Sequence, residues 1–333
     1  MRHFSALLAL GLGLAFSTIA RAAEPYGIGL EGFAYPYPVS MLTLPSEGET
    51  LRMAYMDVKP AAPANGRAVL LLHGRNFPSS YWEPVIKALA GAGYRVVVPD
   101  QVGFGKSSKP LFDLSFDLLA GHTLALLDRL SLDRVDIVAH SLGGMLAVRL
   151  ARSYPASVNR VVLEAPIGLE DYRNFVPPVT TQRIMEVEDA LTPDGYRRQL
   201  VTNYSLTLPP EQVTPFIEAR MRIKEAAEYP RWLRSFVNSY QMLYSQPVVY
   251  EIPLLKQPVL FLMGANDHNA PGRPYAPERL RPLMGENAKL ARDIAAKMPN
   301  AKIEVYEGVG HLVHLEATEK FNAAVLAFLN APR

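Results

Sequence analysis

The 333-residue chain contains no cysteine. Disulfides, thiolate metal sites and thiol nucleophiles are therefore excluded, and stability has to come from a packed core. A surplus of charge is also missing. Thirty-four Lys and Arg stand against 32 Asp and Glu, and the two signs are interleaved, as in EARMRIKEAAEYPRW. That pattern leaves no basic stripe of the kind a nucleic acid needs, so no such partner is expected. Long apolar runs are scarce. The one candidate, FSALLALGLGLAFSTIA, follows Arg2 and His3 and ends in Ala20-Arg21-Ala22. It falls short of the roughly 20 apolar residues of a membrane span. A basic start, a short apolar centre and an A-x-A site describe a secretory signal peptide. Residues 1–22 are thus expected to be cleaved on export, giving a periplasmic or secreted protein with no membrane span in its mature chain. There is no internal repeat and no low-complexity tract.

What is present is an alternation of element types. Residues 23–38 read as an irregular leader, and VSMLTLPSEGETLRMAYMDVKP alternates around a turn, as a β-hairpin does. RAVLLLH, YRVVVPD, RVDIVAH and NRVVLEA are short apolar runs separated by helical patterns such as SYWEPVIKALAGAG and FDLLAGHTLALLDRL. Unbroken apolar strands alternating with helices mean a mostly parallel sheet covered on both faces. From Ile167 to Leu255 the pattern is helical and proline-rich, and strand–helix alternation resumes at PVLFLMG. The expected architecture is a core made of residues 23–166 and 256–333, interrupted by a helical cap over 167–255.

In an open α/β sheet the site forms outside the carboxyl ends of the strands. The polar residues expected there are His73, Asp100, Ser141, Glu164, Asp267 and His311. Ser141 lies in VDIVAHSLGG, where a strand runs directly into a helix. This is the setting of the nucleophile elbow G-x-S-x-G, with Ala139 in place of the first glycine. Close backbone approach forbids bulk more strictly than it demands glycine, so one methyl is compatible with the turn while Gly143 and Gly144 remain. Ser141, Asp267 and His311 follow the chain order serine, acid, histidine. A serine hydroxyl needs a base to become a nucleophile, and a carboxylate fixes the tautomer of that base. Glu164 is the rival for the acid role.

These segments together resemble the α/β-hydrolase family from about residue 40 onward. LLLHGRNFPSSYW resembles its His-Gly oxyanion segment, VVPDQVGFGKSSKP the segment after the fourth strand and VAHSLGGMLA the elbow. LMGANDHNAP resembles the acid turn and GVGHLVHLE the histidine loop. The resemblance implies Ser141 as nucleophile, His311 as base and then acid, and Asp267 as its orienter. It also implies an oxyanion hole from the backbone N–H of Leu142 and of Arg75. Because Pro78 comes later than in the common His-Gly-x-Pro form, Asn76 is an alternative donor. A serine at 141 argues against the family members that use an aspartate nucleophile.

His73 and His140 are expected to support the oxyanion turn and the elbow, His122 to be a satisfied helix side chain, and His314 to line the pocket. His311, His314 and Glu316 form H-x-x-H-x-E, a spacing unlike H-E-x-x-H and set after a glycine turn rather than on a helix, so no metal is expected. GIGLEG follows no strand, and GFGKSS lacks the first glycine of a phosphate loop, so neither implies a nucleotide. No cofactor is implied. The expected activity is serine hydrolysis of a small carboxylic ester or lactone through an acyl-enzyme. Aminopeptidase or amidase action and carbon–carbon bond hydrolysis are alternatives on the same triad. Glu170, Asp171, Glu186 and Glu188 are the candidates to hold a free amine. A binding protein that kept the fold without turnover is the reading from another class.

Overall fold

The computed structural model describes residues 26–332. The candidate signal segment, 1–22, lies outside the described residues. Strands β1 (Val39–Ser46) and β2 (Glu49–Val58) form an antiparallel hairpin. They are joined through Glu47 and Gly48, whose φ angles of 47° and 77° are both left-handed. That is the backbone of a two-residue turn whose twist matches the paired strands. β3 (Ala68–Leu72), α1 (Glu83–Gly91), β4 (Arg95–Pro99), α2 (Phe116–Arg129), β5 (Val135–His140), α3 (Leu142–Ser153) and β6 (Val158–Glu164) then alternate.

After β6 come α4 (Thr181–Asp189), α5 (Pro193–Asn203), α6 (Pro210–Lys224) and α7 (Tyr229–Ser245). The sheet resumes with β7 (Val259–Gly264), α8 (Asn287–Ala295) and β8 (Ala301–Tyr306), and the chain closes with α9 (Val313–Glu316) and α10 (Thr318–Asn330). Eight strands lie in the order β1-β2-β4-β3-β5-β6-β7-β8. β2 is antiparallel to β4, and every neighbour from β4 to β8 is parallel.

The unbroken apolar strands have a direct cause, since both faces of the sheet are covered. Side chains alternate along a strand. Leu70 and Leu72 of β3 join the side packed by α2, α3 and α8. Val69 and Leu71 join the side packed by α1 and α10. α2 starts where Ser115 Oγ accepts the amide of Leu118 at 3.0 Å, satisfying one free donor of its first turn. α4 and α5 start on Thr180 and Thr192 in the same way. α7 carries Trp232, Phe236 and Tyr240 on its buried side, so the aromatic stretch is chiefly packing between cap and core.

Candidate active site

Three chain segments meet at the carboxyl end of the sheet. β5 hands over to α3 at Ser141, whose φ of 55° and ψ of −117° are strained for a residue with a Cβ. The strain persists because the surroundings allow no other path. A Cβ on Gly143 would lie 2.4 Å from the carbonyl oxygen of Leu72, and one on Gly144 would lie 2.7 Å from Pro166 Cβ. Ala139 sits fully buried within β5, where one methyl is accommodated. The turn keeps its geometry with alanine in the first position of the motif.

Ser141 Oγ lies 3.0 Å from His311 Nε2, and His311 Nδ1 lies 3.0 Å from Asp267 Oδ2. All three side chains are buried. Glu164 takes no part in this line. Its Oε1 accepts the backbone N–H of His314 at 2.8 Å and the ring Nδ1–H at 2.7 Å. His314 is therefore not pocket lining, as its place in the histidine loop suggested. The one-turn helix α9 points it into the core, against the ring of Trp82 at 4.4 Å. The H-x-x-H-x-E pattern thus divides among three partners: Asp267 for His311, Glu164 for His314, and backbone amides for Glu316.

The backbone of His311 is held on every side. Its N–H donates to Tyr204 O at 2.8 Å. Its carbonyl accepts from His140 Nε2 at 3.0 Å. Burial, with help from the neighbouring His311 and His314, holds the His140 pKa well below the ordinary histidine range. His140 is therefore neutral, and since Nε2 carries its proton, Nδ1 accepts from Tyr81 OH at 3.0 Å. Tyr81 OH in turn accepts the Gly74 amide at 2.9 Å. A continuous relay, Gly74 to Tyr81 to His140 to His311, joins the loop after β3 to the histidine loop. His73 is also held neutral by burial, and its Nε2 accepts the Gln101 amide at 2.9 Å.

Glu316 completes the support. Its carboxylate accepts the amides of Gly310 (3.1 Å) and Leu312 (3.0 Å), the two residues flanking His311. It also takes both the amide and the hydroxyl of the cap residue Thr207, at 3.0 and 2.7 Å. Tyr81, Tyr204 and Glu316 were not singled out by sequence reasoning as parts of this site. For Tyr81 and Glu316 the available signal was closeness in sequence to the His-Gly and histidine motifs; Tyr204, in the cap, carried none.

Leu142 opens α3, so its N–H has no acceptor within the helix and points to the same end as Ser141. Arg75 follows Gly74 in the loop after β3, and its side chain reaches into the cap. Nε donates to Ser239 Oγ at 2.8 Å and Nη2 to Phe236 O at 3.3 Å. The Asn76 side chain donates to Tyr204 OH, and the Asn76 backbone carbonyl accepts from Tyr196 OH at 3.3 Å, so both side chain and backbone of Asn76 are tied to the cap. Asn269 Nδ2 lies 3.3 Å from His311 Nε2, beside the serine.

Ser141 opens onto a cavity of about 140 Å³ between cap and core, walled by Ile167, Ile184, Tyr204, Tyr240 and Leu243 among others. That is an order of magnitude above the ~10–15 Å³ that one water needs, so it is a ligand space rather than a packing flaw. Of the four acids considered for holding an amine, only Glu188 lines it. Glu170 accepts the Gly285 amide, Asp171 is bound by Arg173 and Tyr250, and Glu186 is exposed. Among the described residues no cluster of His, Asp or Glu could hold a metal ion, and no helix is long and apolar enough to cross a membrane.

An eight-stranded, mostly parallel sheet with a strained serine where β5 turns into α3 defines an α/β hydrolase. The chain matches the alpha/beta hydrolase family over residues 69–324 and belongs to it. Among curated proteins it is similar to a 2-hydroxy-6-oxononadienedioate/2-hydroxy-6-oxononatrienedioate hydrolase of Burkholderia vietnamiensis. The two are 29% identical over 296 residues, covering 85% of this chain and 92% of that one. Among solved structures it is similar to a probable hydrolytic enzyme of Pseudomonas aeruginosa PAO1. That match has 40% identity and a TM-score of 0.89, and covers 93% of this chain and 99% of the other. An enol-lactonase from Burkholderia xenovorans LB400 shares the fold, with a TM-score of 0.65 at 19% identity over 87% of this chain and all of that one (100%).

Proposed function

We infer that the protein is a serine hydrolase that cleaves a small carboxylic ester or lactone through an acyl-enzyme. The observation that carries this reading is the line from Ser141 Oγ through His311 to Asp267, with 3.0 Å at each step, on a serine held in a strained turn. Ser141 Oγ attacks the carbonyl carbon while its proton passes to His311 Nε2. Asp267 holds Nδ1–H in place and stabilises the imidazolium. The oxygen that gains charge is received by the backbone N–H groups of Leu142 and Arg75. His311 returns the proton to the departing alkoxide, leaving the acyl group on Ser141. Water then attacks the acyl carbon by the same route, releasing the acid and restoring the serine. With residues 1–22 read as a signal peptide, the reaction takes place in the periplasm or outside the cell.

A second reading keeps this machinery and changes the bond. A substrate named as a 2-hydroxy-6-oxo dienedioate carries a ketone and no ester, so its hydrolysis breaks a carbon–carbon bond, and the Burkholderia vietnamiensis relative bears that name. Aminopeptidase action loses support from the cavity, because its single acid, Glu188, is paired with arginines. The test is turnover of p-nitrophenyl esters of graded acyl length by wild type and Ser141→Ala, alongside a serine-directed covalent probe. Ester turnover and probe labelling, both abolished in Ser141→Ala, are the expected result. Labelling without ester turnover transfers the case to the carbon–carbon reading. No labelling of the wild type overturns the serine mechanism and leaves the binding-protein reading.

A further inference from the structure

The cleft beside Ser141 contains a charge imbalance that the ester mechanism does not use. Arg75 lines both the Ser141 cavity and a smaller neighbouring one of about 50 Å³. Arg220 of α6 lines the smaller cavity, together with Phe77, Phe104, Trp232 and Phe236. Glu188 of α4 sits between the two guanidinium groups, with Oε1 at 3.5 Å from Arg75 Nη1 and Oε2 at 2.6 Å from Arg220 Nη2. Both arginines also lie over the ring of Phe236, at 3.8 and 4.1 Å from its centroid. Among the residues that line the two cavities, two guanidinium groups therefore face one carboxylate.

The three side chains are nearly closed off from solvent, at 14%, 7% and 13% exposure for Arg75, Arg220 and Glu188. Water cannot screen the remaining positive charge there, and burial lowers the Arg75 pKa against the pull of Glu188. A buried charge without a counter-charge is costly, and the aromatic face of Phe236 offsets only a part of it. Arg75 uses Nε, one Nη1 and one Nη2 position on Ser239, Glu188 and Phe236. A guanidinium has five N–H donors, so two of the Arg75 donors are left for a ligand.

We propose that Arg75 and Arg220 form an anion subsite, and that the acyl part of the substrate ends in a carboxylate. This rests on the reading of Ser141 as the nucleophile of the adjoining cavity. One residue then serves the substrate twice. The Arg75 N–H meets the oxygen of the reacting carbonyl, and its side chain meets the anionic end. A substrate with a free amine in that position is repelled.

The test compares the p-nitrophenyl hemiester of glutaric acid with p-nitrophenyl pentanoate, a neutral ester of equal chain length, in three proteins. The ratio of their kcat/KM values is the readout, so each protein serves as its own control for folding and for the triad. Wild type is expected to prefer the hemiester by about tenfold, mainly through KM. Glu188→Gln, which removes the competing carboxylate, is expected to raise that preference, and Arg220→Gln to lower it. In parallel, glutarate is expected to raise the melting temperature of Ser141→Ala, and succinamide is not. Esters turned over with no discrimination, with both variants moving the two substrates alike and with no protection by glutarate, would make the cluster a cap-to-core latch and overturn the proposal. Protection by glutarate with no ester turned over would leave the subsite standing and remove the ester reading instead.

Discussion

Glu316→Ala removes an acceptor that touches neither substrate nor nucleophile, and its effect can be worked out from four hydrogen bonds. Two come from Thr207, which is exposed, so water replaces the lost carboxylate there at little cost. The other two come from the amides of Gly310 and Leu312, which are buried on either side of His311. A buried amide left without a partner costs about 1–3 kcal/mol, so the pair costs about 2–6 kcal/mol. A domain of this size in the middle or upper part of the ~5–15 kcal/mol range survives this, and the variant is expected to fold. The histidine loop is still held by Tyr204 O and His140, but the two peptide planes flanking His311 become free to tilt. Displacement of a catalytic group by about 1 Å costs on the order of a hundredfold.

Glu316→Ala is therefore expected to lower kcat about 10–100-fold with KM nearly unchanged. Glu316→Gln keeps one oxygen for the amides and is expected to recover part of the loss. Urea denaturation measures the stability change, and steady-state turnover of the best p-nitrophenyl ester measures kcat and KM. A folded Glu316→Ala with kcat within about twofold of wild type would show that the loop needs no such clamp, and the reasoning from flanking amides would fail.

Asp267→Asn is expected to lower turnover by about 10⁴-fold through loss of the correct tautomer, whereas Glu164→Gln acts on His314 and is expected to lower stability with the triad intact. Equal loss of turnover in the two variants would return the acid role to β6. Gly143→Ala drives a Cβ against the carbonyl oxygens of Leu72 and His73 and is expected to abolish activity and destabilise the protein. Ala139→Gly, which restores the common motif, should cost only about 1–2 kcal/mol from chain entropy and a lost methyl, with turnover unchanged. Active Gly143→Ala would refute the close approach. Finally, burial depresses the folded pKa values of His73 and His140 below 6.5, so unfolding lets both take up a proton as pH falls past that value. The unfolded state then binds more protons, so stability is full above about pH 6.5 and declines below it. Melting temperatures measured from about pH 7 to 5 should fall toward acid, and a flat profile would contradict neutral buried histidines.

How far the sequence could be read depends on the range of the interaction. Strands covered on both faces are apolar at nearly every position, so β3 and β7 are visible as short continuous runs and β5 as a run broken by Asp136, which is paired with Arg67. A strained strand-to-helix turn needs small neighbours, so Ser141 is visible from Gly143 and Gly144. Asp267 and His311 could be placed because each lies in the turn that follows a strand. What stayed hidden depends on backbone groups that carry no residue signature. The acceptor for the His311 amide is a peptide oxygen of the cap, and the donors to Glu316 are amides. His314 was read as lining because spacing cannot show which way a one-turn helix faces. Arg75 was chosen for its N–H alone, while its side chain spans from core to cap, a contact 164 residues away in sequence.

These hidden contacts change the meaning of the cap. Tyr204, just after α5, gives its carbonyl to the His311 amide, its hydroxyl to Asn76 and its ring face to the His311 imidazole at 4.5 Å. Thr207, three residues on, shares the carboxylate that flanks the same histidine. Ser239 of α7 holds the side chain of Arg75, in the loop after β3 that the proposed mechanism uses to receive the oxyanion. A cap that lifted as one body would release the base and the oxyanion loop together and leave several polar groups without partners. The segment from α5 through Thr207 is therefore part of the catalytic frame rather than a cover over it. By contrast α4 has one fully buried side chain, Ile184, while its Val187 lines the cavity and is 39% exposed. At Val187 α4 therefore brings the cavity wall to the surface, while the groups that hold His311 lie on other segments. Glu188, on that same helix, ties α4 to the loop after β3 through its pair with Arg75.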